Sequence, residues 1–381
     1  MSEAPRAYLD HASGEPLHPA AREVLEQALT HGYADPRRLH HAARQARLML
    51  DNARAVVAEC LAVRPDEVTF TPSGTHAVHL GVLGLLGGRR RDSDLLLASS
   101  VEHSAVLQAG AWHAAHGGRL ETLPVDRHGR VSPGSVTAAV AEHGAPGVVA
   151  LQSANPEVGV VQPVAEVAAT TEAPLFVDAC ASTGRVPLPH GWAAAAASAH
   201  KWGGPAGVGL LLIRRGVRWR NPFPGDDRVD GRSVGFENVP AALAAAAALR
   251  ATLEEQRQLA ASHTTLTAQL AAAARSIPDT EVYLAPGDRL PHVVAFSCLY
   301  VDGEALVTEL DRLGFGVASG SACTASTLEP SHVLAAMGAL SHGNVRVSLG
   351  RGTDPGEVAR LAALLPGLVE RLRAGFGVPR D

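Results

Sequence analysis

Between residues 68 and 213, short apolar segments alternate with longer segments of helical character. The apolar segments predict seven strands, at residues 68–71, 95–98, 120–123, 148–151, 174–177, 193–199 and 208–213. Helical segments lie between most of them, for example at 75–86, 105–116 and 133–142. Short buried strands that alternate with helices favour a mostly parallel sheet with helices on both faces. We therefore predict an α/β fold.

Polar residues follow directly after five of these strands. Parallel α/β sheets bind ligands at the carboxyl ends of their strands, so these side chains should meet in one crevice. Gly74 and Thr75 also begin a predicted helix, whose first N–H groups are a ready anion site. The residues that follow the strands are Gly74, Thr75, Glu102, His103, Asn155, Asp178, His200 and Lys201.

Lys201 is the only lysine among the 33 lysines and arginines of the chain. A surface ammonium is readily replaced by a guanidinium, but arginine is a poor nucleophile because it stays protonated. A single retained lysine indicates amine chemistry, such as a Schiff base with an aldehyde cofactor. Pyridoxal phosphate needs such a lysine, a helix terminus for its phosphate, a carboxylate for its pyridinium and a flat group against its ring. The crevice offers all four.

Composition and charge argue against several classes of protein. A length of 381 residues and a net charge of −5 suit a protein of two domains, and the three arginines at 89–91 do not resemble a nucleic-acid site. The four cysteines show no CxxC spacing, and no signal peptide or membrane-length apolar stretch stands out. We expect a cytoplasmic protein without a membrane or nucleic-acid partner. His76 and His79 share a helix face as metal ligands could, but they lack a third ligand, so no metal site is predicted.

The C-terminal part has a different pattern. An irregular segment at 214–236 precedes a long helix at 239–277. Strands near residues 282, 293–297, 317 and 345–348, with helices at 303–313 and 355–372, indicate a smaller α+β domain. We predict a large domain at residues 15–250 and a small domain from 1–14 and 251–381. The small domain carries Cys323 in a loop rich in Gly, Ser and Thr, where a thiol is a plausible nucleophile.

The chain resembles the cysteine desulfurases of the class V aminotransferase family over nearly its whole length. The resemblance rests on several motifs: Tyr8-Leu-Asp-His11, Glu102-His103, Val177-Asp178-Ala179, Ser198-x-His200-Lys201, Ser319-Gly-Ser-Ala-Cys323-Thr with Leu328-Glu-Pro-Ser331, and Arg346-Val-Ser-Leu-Gly350-Arg351. It implies the fold type I of pyridoxal phosphate-dependent transferases. It also implies a homodimer that converts L-cysteine to L-alanine and passes sulfur to an acceptor protein, in iron–sulfur cluster assembly or thiolation.

The resemblance also implies roles for individual residues. Lys201 would bind the cofactor and move the α-proton of the substrate, and Cys323 would take the sulfur as a persulfide. Arg346 would bind the substrate carboxylate in a bidentate fork. The remaining cofactor contacts would come from Gly74, Thr75, His103 (stacked on the ring), Asn155 (also at the substrate), Asp178 (at the pyridine nitrogen), Ser198 and His200.

Several positions depart from the family pattern, among them the run His76-Ala77-Val78, where acidic or amide residues usually follow the phosphate threonine, and two other functions stay open. Ala181 stands where a glutamine is usual, and Phe236 stands where a threonine usually reaches the phosphate bound by the partner subunit. One alternative is a related lyase that cleaves a C–S or C–Se bond in a different amino acid, with Cys323 assisting or idle. The other is a non-catalytic scaffold of a sulfur-transfer system.

Overall fold

The computed structural model describes residues 6–225, 231–319 and 331–375. Its strands are β1 Ala7–Tyr8, β2 Val68–Thr71, β3 Leu95–Ser99, β4 Arg119–Leu123, β5 Val148–Gln152, β6 Leu175–Asp178, β7 Trp192–Ser198, β8 Gly209–Ile213, β9 Thr280–Tyr283, β10 Val293–Cys298, β11 Phe315–Gly316 and β12 Asn344–Ser348. Its helices are α1 Pro19–His31, α2 His41–Leu61, α3 Gly74–Arg89, α4 Ser104–Ala115, α5 Pro133–His143, α6 Val164–Ala168, α7 Val239–Arg275, α8 Gly303–Arg312, α9 His332–Ala336 and α10 Pro355–Gly375. Two 3-10 turns lie at Pro65–Glu67 and Ala199–Trp202.

Seven strands form the central sheet, in the order β2-β8-β7-β6-β5-β3-β4. Neighbours from β7 to β4 pair in parallel, and only β8 runs against the others. Every residue of β2, β3, β5, β6 and β8 is buried, as expected for strands covered on both faces. The predicted α/β fold with a mostly parallel sheet is confirmed.

Alternate residues of β3 show that helices cover both faces of this sheet. Leu95 and Leu97 pack in one apolar cluster with residues of α2 and α7. Leu96 and Ala98 pack in another cluster with residues of α3 and α4. Successive side chains of a strand point to opposite faces, so each face has its own layer of helices. The carboxyl ends of β2, β3, β5, β6 and β7 consequently meet at one open edge.

The C-terminal part has its own sheets and core. β12, β10 and β9 form an antiparallel sheet, while β1 pairs in parallel with β11. The 37-residue helix α7 contacts both parts of the molecule, because residues 239–249 lie in the core of the large sheet and residues 266–274 in the core of the small sheet. No helix in the described ranges combines the length and apolarity needed to cross a membrane.

The sequence-based elements differ from the structure in two places near the small sheet. The strand predicted near Val317 ends one residue earlier, at Gly316, because β11 is only as long as its two-residue partner β1. Helix α9 was not predicted. It has only five residues, too few to show a helical period in the sequence.

Candidate active site

A cavity of about 280 Å³ lies at the carboxyl edge of the large sheet. Every described residue that the sequence analysis assigned to the site lines it: Gly74, Thr75, His103, Asn155, Asp178, Ser198, His200, Lys201 and Arg346. The first eight come from the large sheet and its loops, whereas Arg346 comes from β12. Cys323 lies outside the described residues. The edge of the large sheet therefore faces the small sheet across a shared cavity.

The turn from β2 into α3 forms one end of the cavity. The Ser73 hydroxyl accepts a hydrogen bond from the His76 N–H at 3.0 Å, and the Thr71 hydroxyl donates to the Ser73 carbonyl at 2.9 Å. A Cβ atom on Gly74 would lie 2.7 Å from the Cβ atom of Ser198 and 3.0 Å from the Cys180 sulfur. Only glycine fits here, and the capped helix presents its first N–H groups to an anion.

Lys201 lies in the 3-10 turn that follows β7. Gly203 ends this turn with φ of 81°, a left-handed conformation that favours glycine. The next residue, Trp202, is buried; its indole N–H donates to the Ala245 carbonyl at 3.1 Å, and its carbonyl accepts from the Thr252 hydroxyl at 2.9 Å. Helix α7 thus holds the backbone on which the only lysine stands.

Asp178 ends β6 and is buried beside a cysteine. The Cys180 N–H donates to the Asp178 Oδ1 at 2.9 Å. Burial raises the pKa of the Cys180 thiol well above its ordinary value, and the Asp178 carboxylate raises it further, although Lys201 acts in the opposite direction. The thiol therefore stays protonated at neutral pH, and Asp178 supplies the negative charge at this end of the cavity.

Two histidines in the cavity have defined hydrogen-bond roles. The His103 Nδ1 caps helix α4 by accepting the Ala105 N–H at 3.0 Å, so the ring carries its proton on Nε2. The His200 Nδ1 lies 3.0 Å from the Ser198 hydroxyl. Burial lowers the pKa of His200, and the nearby Lys201 lowers it further, so this imidazole is neutral at physiological pH.

Asn155 lines the cavity, but most of its amide is used within the protein. Its oxygen accepts from the N–H groups of Glu157 at 2.8 Å and Val158 at 3.0 Å. Its nitrogen donates to the Val101 carbonyl at 3.2 Å. Because an amide nitrogen has two hydrogens, one donor remains for a ligand.

Glu102 is a fully buried carboxyl group at the base of the cavity. Its Oε1 accepts the Gln152 N–H at 2.7 Å, and its Oε2 has no hydrogen-bond partner. Burial raises the pKa of Glu102 well above the ordinary 4.5, and the Asp178 charge adds to the effect. A neutral acid is the form that this environment favours.

The guanidinium of Arg346 is held from three sides. Its Nη2 donates to the Asp10 carboxylate and to the Ser13 hydroxyl, each at 2.7 Å. Its Nη1 donates to the Pro156 carbonyl at 3.2 Å. The buried Nε has no partner. The side chain is thus fixed in place and keeps hydrogen-bonding capacity for an anion.

Several residues that line this cavity were not assigned by sequence reasoning. Ser13, Glu157, Cys180 and His332 all do so. The sequence signal that could have identified them is their position next to recognised motifs. Cys180, for example, follows Asp178 by two residues. Among the described residues, no group of three or more His, Cys, Asp or Glu side chains could hold a metal ion. His76 instead stacks on Phe223 at a ring distance of 5.9 Å.

Comparison with known proteins gives a consistent result. The family model for class-V aminotransferases matches residues 7–361. An IscS-like cysteine desulfurase of Mycobacterium tuberculosis is 35% identical over 96% of this chain and 97% of its own length. The cysteine desulfurase IscS of Dictyoglomus turgidum is 30% identical over 96% of this chain and 95% of its own. Among solved structures, a NifS-like protein superposes with a TM-score of 0.87 and 26% identity, covering 96% of this chain and all of the other.

These matches extend over both sheets and every element that lines the cavity. The chain therefore belongs to the class V aminotransferase family and, within it, to the pyridoxal phosphate-dependent cysteine desulfurases.

Proposed function

We propose that Lys201, Asp178, His103, Arg346 and Cys323 together carry out the conversion of L-cysteine to L-alanine, with Cys323 as the first sulfur acceptor. The observation that carries this proposal is the position of Lys201. The only lysine of the chain lines the same cavity as a buried carboxylate, a helix-capping imidazole and a buried arginine. Few other reactions need exactly this combination of side chains.

The residues of the cavity fit pyridoxal phosphate. The start of α3, where Gly74 leaves no room for a Cβ atom, and the Ser198 hydroxyl would hold the phosphate. Asp178 would hold the protonated pyridine nitrogen, and His103 would lie against the ring. Ala181 offers no side-chain donor to the ring oxygen, whereas the neutral His200, from the turn after β7, also lines the cavity. When bound, this cofactor stabilises negative charge at the substrate α-carbon.

Arg346 and Lys201 would then handle the substrate. Arg346 would bind the substrate carboxylate, while Asp10 and Ser13 keep the guanidinium in position. The amine of Lys201 would remove the α-proton and return a proton to carbon.

Cys323 would receive the sulfur. Its thiolate attacks the substrate sulfur, so the substrate C–S bond breaks as an S–S bond forms. The electron pair of the broken C–S bond stays with the substrate β-carbon, which takes a proton to give L-alanine, and Cys323 keeps the sulfur as a persulfide. A sulfur-acceptor protein would then collect it, in agreement with the iron–sulfur role implied by the names of the relatives.

The protein's oligomeric state, domain division and cellular location are part of the same proposal. We propose a homodimer in the cytoplasm, with a large domain at 15–250 and a small domain from 1–14 and 251–381. The separate cores of the two sheets support the division. Cys60, Cys180 and Cys298 are free thiols, which supports a reducing location.

The test is an absorbance spectrum of the purified protein before and after L-cysteine, beside Cys323→Ala and the control Cys60→Ala. We expect the visible cofactor band to shift with cysteine in all three proteins. Persulfide and alanine should form in the parent and in Cys60→Ala but not in Cys323→Ala. Equal turnover in Cys323→Ala would favour the lyase, and a parent without any cofactor band would favour the scaffold.

A further inference from the structure

Helix α9 connects the small sheet to two loops of the candidate active site. Its residues Val333, Leu334 and Met337, the last just past its end, share an apolar cluster with residues from both sheets. Val101 and Val158 in that cluster belong to the loops after β3 and β5, whereas Tyr283 and Ala295 belong to β9 and β10. The short helix is therefore packed between the two halves of the molecule.

Two polar contacts at the start of α9 extend this packing into the cavity. The Ser331 hydroxyl donates to the Glu157 Oε2 at 2.6 Å. The His332 Nε2 lies 2.9 Å from the Glu102 carbonyl oxygen, so this nitrogen carries the proton and donates. Glu102 immediately precedes His103, and Glu157 follows Asn155 by two residues. Both contacts thus end on loops that carry candidate cofactor residues.

The environment of Glu157 suits a positioning role. Burial raises the pKa of Glu157, whereas the Ser331 hydroxyl and the charges of His332, Arg346 and His103 lower it. A partly buried carboxylate needs hydrogen-bond donors or positive charge nearby. The Ser331 hydroxyl supplies such a donor to Glu157. Losing the Ser331 contact should therefore loosen the start of α9.

Ser331 lies close in the sequence to Cys323, the proposed sulfur acceptor. Ser331 follows Cys323 by eight residues. On the N-terminal side, Ala318 exchanges two backbone hydrogen bonds with Arg346, at 2.7 and 3.2 Å. In the sequence, Cys323 thus lies between Ala318, which pairs with the strand of Arg346, and Ser331.

We propose that Ser331, Glu157 and His332 form a latch, the α9 latch, that fixes the start of α9 against the candidate active site and supports sulfur transfer to Cys323. These are positioning residues, and the proposal rests on the proposed function of Cys323. The Ser331–Glu157 contact is the charge-assisted half of the latch, and the His332–Glu102 contact orients the backbone before His103.

The test is a double-mutant cycle in the holoenzyme with Ser331→Ala, Glu157→Gln and the double variant. Ser331→Thr keeps the hydroxyl, and Ser276→Ala removes an exposed hydroxyl that bonds only to its own helix. Persulfide on Cys323 is followed by mass spectrometry after saturating L-cysteine. Hydrogen exchange of the α9 amides and the spectral response to cysteine are measured on the same samples.

We expect Ser331→Ala to slow persulfide formation about tenfold, because it removes a charge-assisted hydrogen bond. Glu157→Gln, which weakens the bond without removing it, should slow the reaction about threefold. The double variant should be no slower than Ser331→Ala, since both changes break one interaction. Ser331→Thr and Ser276→Ala should match the parent. Exchange of the α9 amides should be faster in both latch variants, while the spectral response stays as in the parent.

Three outcomes would overturn the latch. Parental rates of persulfide formation in both single variants would do so, and so would strictly additive effects. A lost spectral response would place these residues in substrate binding instead. If the parent puts no sulfur on Cys323, the proposed function fails, and the exchange of α9 in Glu157→Gln alone then decides whether Glu157 holds the helix.

Discussion

Arg346 shows how a single buried cation is prepared for a ligand before the ligand arrives. Asp10 balances its charge, while Ser13 and the Pro156 carbonyl fix its plane. A flexible arginine would lose side-chain entropy on binding a carboxylate, whereas a fixed one has already lost it on folding. The same contacts restrict how Arg346 can bind a ligand, because both hydrogens of Nη2 are already donated to Asp10 and Ser13. A carboxylate can therefore use only the remaining N–H groups of Arg346, unless it displaces Asp10 or Ser13.

Glu102 provides a prediction that needs no activity measurement. In the unfolded chain this residue ionises near its ordinary pKa of 4.5, but in the fold it keeps its proton to a higher pH. Its contribution to stability is therefore fully present below about pH 4.5 and is lost as pH rises toward the raised pKa. Glutamine at this position does not titrate.

We expect the unfolding free energy of Glu102→Gln, relative to the parent, to improve as pH rises above the ordinary pKa of 4.5. The slope should approach about 1.4 kcal/mol per pH unit where only the unfolded chain is ionised. Urea unfolding at several pH values measures it, with the exposed Glu142→Gln as the control. A difference between Glu102→Gln and parent that does not change with pH would contradict the buried neutral acid.

At the scale of elements, the turn from β2 into α3 is the part of the site with the least freedom. A methyl group on Gly74 would press on Ser198 and on the Cys180 sulfur at 2.7 to 3.0 Å. We expect Gly74→Ala to lose about 1 to 3 kcal/mol of unfolding free energy and to retain less cofactor. Gly352→Ala, where a Cβ atom meets nothing within 4 Å, is the control. Absorbance and urea unfolding measure both effects, and a Gly74→Ala protein that keeps parental cofactor content would refute the tight turn.

Most of the large sheet could be predicted from sequence because its strands are continuous apolar runs. The polar residues after β2, β3, β5, β6 and β7 could be placed together for the same reason, since parallel strands share one edge. The Asn155 hydrogen bonds were beyond reach, because they depend on a turn whose geometry has no periodic signal. Cys180 and His332 were missed because one cysteine or histidine in isolation resembles a core residue.

At the scale of the whole molecule, large apolar side chains remain on the surface between α1 and α2. Tyr33 is 71% exposed and Leu39 is 89% exposed. The neighbouring Arg37 pairs with Glu237 at 3.4 Å, which joins this segment to the loop of the half-exposed Phe236. Exposed apolar groups of this size commonly mark a protein interface.

We expect the protein to be a dimer by light scattering. The double variant Tyr33→Glu with Leu39→Glu should shift it toward the monomer, because two charges would be buried without partners. Leu313→Glu, at a distant and partly exposed position, should leave the dimer intact. A parent that is monomeric, or a double variant that stays dimeric, would exclude this face as the interface.

The pairing of β1 with β11 has a consequence for how the protein is made. The Arg346 guanidinium donates to Asp10, a residue 336 positions earlier in the sequence. Strand β1 pairs with β11, which begins at Phe315. During synthesis, the N-terminal segment leaves the ribosome long before its partners exist. A chain that stops between α7 and β12 contains every strand of the large sheet and its lysine, yet it lacks Arg346. Only the chain that includes β12 therefore brings the lysine and the arginine to the same cavity.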